Sequence, residues 1–240
     1  METLNHQEVF VCFLDVLGFK DLIENNDHVT LDRIFDSKIM GFVNILAGQE
    51  MNRSEKDTIN FLSVSDSIIL WSNNTSDNSL FRIINHTKSI LISCLQHGVP
   101  LRGAISRGPL SVKKQNGQTI IIGKALTKAY STESKQNWSG CIIDRDCLAE
   151  NSRREYLFKK RFIYEYQVPY KSGRVTDEIV IDWVSSSLNN QELYDNDITE
   201  EFIRDSFGRH NKKTNDWSIK TKVDNTVEFY RKVTEDLQKA

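Results

Sequence analysis

The chain has 240 residues, 39% hydrophobic and 10% aromatic, with only 3 prolines and 11 glycines, a composition that supports a packed core and excludes low complexity. Its 31 basic and 33 acidic residues nearly cancel to a net charge of −2. No whole-molecule field therefore draws it to nucleic acid or to a membrane, and any anionic ligand must be held locally. In chain order, residues 8–16 predict a fully buried strand, a short Val- and Phe-rich run that ends at Gly18. The stretch "DRIFDSKIMGFVNILAG" predicts a helix, with Ile34, Ile39, Phe42, Val43 and Leu46 at roughly helical spacing and Gly48 as its stop. "TINFLSVSDSIILWS" (58–72) predicts a tight hairpin whose strands, Ile59–Val64 and Ile68–Trp71, are broken by Ser65, Asp66 and Ser67. A second long helix over 78–98 opens with Asn78 as its cap. The strand "VPLRGAISRGPLSV" (99–112) follows, with Gly103 and Gly108 permitting close approach of a backbone or ligand.

The order to this point is βαββαβ, which gives an α+β sandwich of ferredoxin-like or palm type, long helices on one side of an antiparallel sheet. Further elements follow: a strand at 118–123, a helix at 124–135, a strand at 140–144, and strands near 160–168 and 177–184. Residues 186–240 read as a polar, mainly helical C-terminal extension to a domain of residues 1–185, with Phe202, Ile203, Phe207, Val223, Val227 and Tyr230 as its apolar positions. Cys12, Cys94, Cys141 and Cys147 form no CxxC pair, and there is no signal peptide or apolar run of about 18 residues. The expectation is a cytoplasmic protein with reduced thiols and no membrane insertion.

Asp15 ends an otherwise apolar run, "FVCFLDV", and a buried, unpaired charge costs several kcal/mol after relaxation. In a ferredoxin-like sheet the first and third strands are central neighbours, so Asp15 at the end of the first and Asp66 in the hairpin turn can meet. Two carboxylates that close do not both stay ionised without a cation, and hard magnesium or manganese would satisfy both. Gly18 and the helix start behind it offer backbone N–H groups to a polyphosphate. The plain alternative is that one Asp caps a helix and the other forms a turn. Lys124, Lys128 and Lys135 lie at near-helical spacing, as a solvated face does, although they stand beside Thr127. No histidine spacing such as HExxH and no G-x-S-x-G elbow is present.

The residues carry a resemblance. "FLDVLGFKDL" resembles the "F-x-D-I-x-G-F-T-x-L" start of class III nucleotidyl cyclases, "FLSVSDSIIL" their second metal hairpin, and "LRGAISRGPL" their "R-x-G-I-H-x-G" strand. "IIIGKALTKAYSTESK" falls where that family has "G-D-x-V-N-x-A-S-R". Together "FLDVLGF", "SDSI" and "RGAIS-x-G" are most similar to the short bacterial pyrimidine cyclases of Pycsar antiphage systems, which form cyclic UMP or cyclic CMP.

The resemblance implies attack of the ribose 3′-hydroxyl on the α-phosphate of UTP or CTP, with release of pyrophosphate. It implies two Mg2+ or Mn2+ ions held by Asp15, Asp66 and the Val16 carbonyl, with Gly18 and Phe19 at the triphosphate. Arg102, Arg107, Lys124 and Lys128 remain for phosphate charge, while Asn60, Leu62 and Phe61 shape the base pocket. Such sites are completed across a head-to-tail homodimer, and the cyclic product is read by a cyclic-nucleotide-binding effector. The chain departs from the family pattern in carrying Thr127 in place of the ribose-orienting asparagine, Ser131 in place of the transition-state arginine, and Leu62 where purine enzymes carry a polar base reader. Two other readings therefore stay open: a degenerate cyclase-homology domain that senses nucleotide or dimerises, and a different palm enzyme, which lacks support because no "GGDEF"-type hairpin is present.

Overall fold

The structure, a computed structural model, describes residues 7–51, 54, 58–115, 118–189 and 197–239. Strand β1 (Gln7–Val16) leads through Gly18 into the short helix α1 (Phe19–Glu24). Helix α2 (His28–Asp32), capped by the Asp27 side chain, runs through a π-helical stretch, Arg33–Met40, into α3 (Gly41–Met51). The wider turn accounts for the five-residue gap between Ile34 and Ile39, both of which are buried. Helix α3 passes through Gly48, which does not stop it.

The hairpin β2 (Ile59–Val64) and β3 (Ser67–Ser72) closes through Ser65 and Asp66, with Ser65 at φ 56. Helix α4 (Asp77–Gln96) is capped by Ser76, whose side chain accepts from the Ser79 amide, and not by Asn78. Asn74 Oδ1 accepts from both the Ser76 amide and the Ser79 hydroxyl, and that fixes which polar residue becomes the cap. Strands β4 (Leu101–Gln115) and β5 (Gln118–Gly123) pair with each other, and α5 (Lys124–Lys135) then carries the chain to β6 (Gly140–Ile143). Helix α6 (Arg154–Lys159), the hairpin β7 (Ile163–Pro169) and β8 (Val175–Ile181), then α7 (Trp183–Asn189), α8 (Glu200–Gly208) and α9 (Trp217–Gln238) complete the described chain.

The sheet order is β2-β3-β1-β4-β6-β8-β7, with β5 paired to β4. Its first four strands are the ferredoxin-like arrangement. The sheet is antiparallel except where β6 lies parallel to β4, the consequence of a crossover through α5. At Gly103 an added Cβ would stand 2.6 Å from the Phe13 carbonyl, so the glycine lets β1 and β4 approach.

Side chains of β1 alternate between two cores. Phe10, Cys12, Leu14 and Val16 enter the large one with α3 and α4, whereas Val9, Val11 and Phe13 enter a smaller one under α5. The long helices thus cover one face and α5 the other. Ile203, Phe207, Val223 and Val227 of the C-terminal segment are buried in the large core with β1 and α4. Phe229, which the apolar pattern passed over in favour of its half-buried neighbour Tyr230, is fully buried against Trp138, Tyr166 and Trp183. The four cysteines are free and buried, and among the described residues no helix is long and apolar enough to cross a membrane.

Candidate active site

Asp15 pairs with Ser67 of β3 on one side and with Arg102 of β4 on the other. The next amide, Val16 N–H, donates to the Asp66 carbonyl at 3.0 Å, so the backbone itself brings Asp15 and Asp66 to one end of the central strands. Gly18 takes a left-handed φ of 77 to start α1, a conformation that costs a residue with a Cβ about 1–2 kcal/mol. Phe19 turns its ring inward against Phe35, with ring centroids 5.6 Å apart, which leaves only its backbone to a ligand.

Helix α5 lies across the Val9, Val11 and Phe13 face. Ala125 and Ala129 are fully buried there and let the helix sit close, and the same stripe one turn on carries Glu133, only 2% exposed. Glu133 accepts from Arg102 Nε at 2.5 Å, and Arg102 also donates to the Gln136 carbonyl at 3.0 Å. Arg102 is therefore committed inside the protein and is not a free phosphate ligand; its second amino group stands 3.9 Å from Asp15. Burial, then the nearby charges of Glu133 and Asp66, push the Asp15 carboxyl up to about 6, against the opposing pull of Arg102 and Lys171. Burial likewise raises Glu133, with Arg102 opposing it.

The strand end thus gathers Asp15, Asp66 and Glu133 with Arg102 and Lys171 as nearby cations. Sequence reasoning missed Glu133 and Lys171. The signal for Glu133 was present in the spacing Ala125, Ala129, Glu133, two small residues and an acid on one helical stripe.

Among the described residues no set of three or more His, Cys, Asp or Glu side chains is arranged to hold a metal ion. The donor set nevertheless fits magnesium. That ion commonly takes one or two carboxylates and completes its shell with water and substrate phosphate, and Asp15 and Asp66 are hard oxygen donors at one strand end.

The remaining residues fall elsewhere. Thr127 and Ser131, with Lys124, Lys128, Pro109 and Ile122, line an open groove of about 1030 Å³ along α5, apart from Asp15 and Asp66. Thr127 returns its hydroxyl to the Gly123 carbonyl at 3.2 Å. Lys128 is paired with Asp144 and, at 2.8 Å, with Asp146, and Arg107 with Glu150 at 3.0 Å; neither is the unpaired phosphate cation the sequence suggested. Asn60 donates to Asn73 at 2.8 Å and to the Trp71 carbonyl at 3.3 Å, so its amide nitrogen is engaged within the chain. Phe61 and Leu62 do not wall one pocket. Alternation puts Phe61 against His86 in the large core, with centroids 5.5 Å apart, and Leu62 on the opposite face with α5.

No family model and no curated protein matches the sequence. Solved structures do. The adenylyl cyclase CyaB from P. aeruginosa matches with a TM-score of 0.52 and 13% identity, over 74% of this chain and 94% of that one. The catalytic core of a rhodopsin-guanylyl cyclase with converted specificity, in complex with ATPalphaS, matches with a TM-score of 0.52 and 12% identity, over 73% and 95%. An adenylate cyclase of Trypanosoma brucei in its monomeric state matches with a TM-score of 0.50 and 11% identity, over 73% and 88%. The chain has the fold of a nucleotide cyclase homology domain, extended by C-terminal helices.

Proposed function

We propose that the chain is a nucleotide cyclase of pyrimidine specificity, converting UTP or CTP to the 3′,5′-cyclic monophosphate and pyrophosphate. The observation that carries this reading is the Asp15 and Asp66 pair, tied by backbone at the ends of central strands, with the Asp15 carboxyl raised even though Arg102 and Lys171 stand near it. The fold it shares with solved adenylyl and guanylyl cyclases supports the same reaction class. Bound there, magnesium or manganese would supply Lewis-acid activation of the 3′-hydroxyl and charge for the triphosphate. Asp15, Asp66 and the Val16 carbonyl would hold the ions. The protein's own part is to orient the ribose and α-phosphate and to keep the carboxylates placed, which Arg102 does through Glu133 and the Gln136 carbonyl.

Because Thr127 and Ser131 lie in a separate groove, they would serve the site of a second copy, and a head-to-tail homodimer would carry two composite sites. Leu62 lacks the donor that a purine reader needs, which favours the smaller base. The likeness to Pycsar enzymes extends the proposal to antiphage signalling through a cyclic-nucleotide-binding effector. A second reading, nucleotide binding without turnover, is favoured by the engagement of Arg102 and Lys128 with internal carboxylates. Incubating the protein with each nucleoside triphosphate and manganese, and reading products by mass spectrometry, separates the two. Cyclic UMP or cyclic CMP with pyrophosphate supports the cyclase, and intact triphosphate in every tube supports the binder.

A further inference from the structure

The polar segment joining α8 to α9 is seated with unusual firmness. Arg209 donates to the Gln96 carbonyl at 2.7 Å, His210 Nε2 lies 2.6 Å from the His97 carbonyl, and Lys212 Nζ donates to the Gly98 carbonyl at 2.8 Å. From the other side Asn26 donates to the His210 carbonyl at 2.7 Å, and the Lys213 amide donates to Asp21 at 3.2 Å. His210 and Asn211 both hold left-handed backbone, at φ 60 and 59, a strain that persists only where surrounding contacts over-determine it. Lys212 is 7% exposed, and its ammonium meets carbonyl oxygens. A buried lysine and two strained residues are expensive ways to fix a loop, so the position of that loop matters.

The loop lies over the turn from β1 to α1. Leu17, Gly18 and Asp21 of the turn share a cleft of about 50 Å³ with Lys212, Lys213 and Lys222. The rotation of α9 is fixed by Asn225, which donates to the Asn137 carbonyl at 2.7 Å, and by Thr226, which accepts from the Ser139 amide at 2.9 Å. One turn earlier, Lys222 lines that cleft together with Leu17 and Gly18. Its ammonium reaches only its own helix, at Ser218 O (3.3 Å) and Ser218 Oγ (3.4 Å), and among the described residues no carboxylate pairs with Lys222 or with the Lys213 side chain. Burial lowers Lys222, and the like charges of Arg102 and Lys171 lower it further, with Asp216 opposing. With Asp21 as the one carboxylate among the described residues lining the cleft against three lysines, cations outnumber acids beside Gly18, an arrangement that favours an incoming anion.

We propose that Lys222 and Lys213, delivered by the C-terminal segment of the same chain, bind the terminal phosphates of the nucleotide whose reacting end lies at Asp15 and Asp66. The proposal rests on the nucleotide reading above and assigns the segment to counting phosphates, not to reading the base. Binding of UTP, UMP and inorganic tripolyphosphate to the full chain, measured by calorimetry without turnover, tests it. Lys222→Met is expected to weaken UTP and tripolyphosphate about tenfold or more while changing UMP less than about twofold. Lys222→Arg should keep most of the affinity. Lys220→Met, on the side of α9 that faces Arg204 and Thr214, should change nothing. Equal weakening of UTP and UMP by Lys222→Met overturns the proposal, as does unchanged UTP affinity or a wild-type chain that binds neither UTP nor tripolyphosphate. If tripolyphosphate binds through Lys222 and UTP is bound but never cyclised, the phosphate site stands and the cyclase reading alone falls.

Discussion

The Val16 amide donates to the Asp66 carbonyl at 3.0 Å, and this one backbone bond locks the β2–β3 hairpin to the end of β1. Side-chain changes at Asp15 or Asp66 leave it untouched. Asp15→Asn and Asp66→Asn should each lower turnover by about 100-fold or more while the melting temperature holds or rises, because like-charge repulsion is relieved. Turnover in manganese equal to wild type in either variant contradicts the assignment.

Glu133 and Arg102 form a buried pair, 2% and 6% exposed. Removing one partner strands the other, whereas replacing both with apolar groups need not cost stability. Glu133→Gln should therefore destabilise by about 3 kcal/mol in urea unfolding, and the double variant Arg102→Met, Glu133→Leu should recover most of it. A Glu133→Gln change under about 0.5 kcal/mol would show that the pair does not hold α5 to the sheet.

The buried Lys212 and the half-buried Lys88 set a pH dependence. Burial pushes Lys212 down to about 7 and Lys88 down to about 8, from 10.5 for an ordinary lysine, with Asp21 and Asp182 opposing. The unfolded chain therefore binds more protons than the native one between about pH 7 and 10, and stability rises with pH across that window. Lys212→Met removes its share, so the rise in melting temperature from pH 7 to 9 should be visibly smaller than in wild type. An unchanged slope would place the Lys212 ammonium in water.

The groove that carries Thr127 and Ser131 is separate from the carboxylate pair. Mixing Asp15→Asn chains with Thr127→Lys chains should restore activity toward a quarter of the wild-type level, as heterodimers with one undamaged site form. No recovery after demonstrated subunit exchange contradicts a shared site.

Much of this arrangement was legible in the sequence. The apolar run of β1, the two-residue turn at Ser65 and Asp66, and the bounds of α5 follow from short-range pattern, and the pairing of β3 with β1 that a ferredoxin-like order implies brings Asp66 to the end of β1. What stayed hidden depends on partners distant in sequence. Arg102 reads as a free cation until α5 delivers Glu133 to it. Asn60 reads as an open amide until β3 brings Asn73 within 2.8 Å. Strict alternation would have separated Phe61 from Leu62. The C-terminal segment reads as solvated because its charges dominate; the burial of Lys212 and the left-handed pair before it arise only from contacts with Gly98 and Asn26.

Competition in one tube decides between pyrimidine and purine substrates. The protein is given equal concentrations of ATP, GTP, CTP and UTP with manganese, and the cyclic products are counted by mass spectrometry against an Asp15→Asn blank. Cyclic UMP or cyclic CMP is expected in at least about tenfold excess over cyclic AMP and cyclic GMP, a preference that Leu62→Lys erodes. A predominance of cyclic AMP, or no cyclic product above the blank, would contradict it.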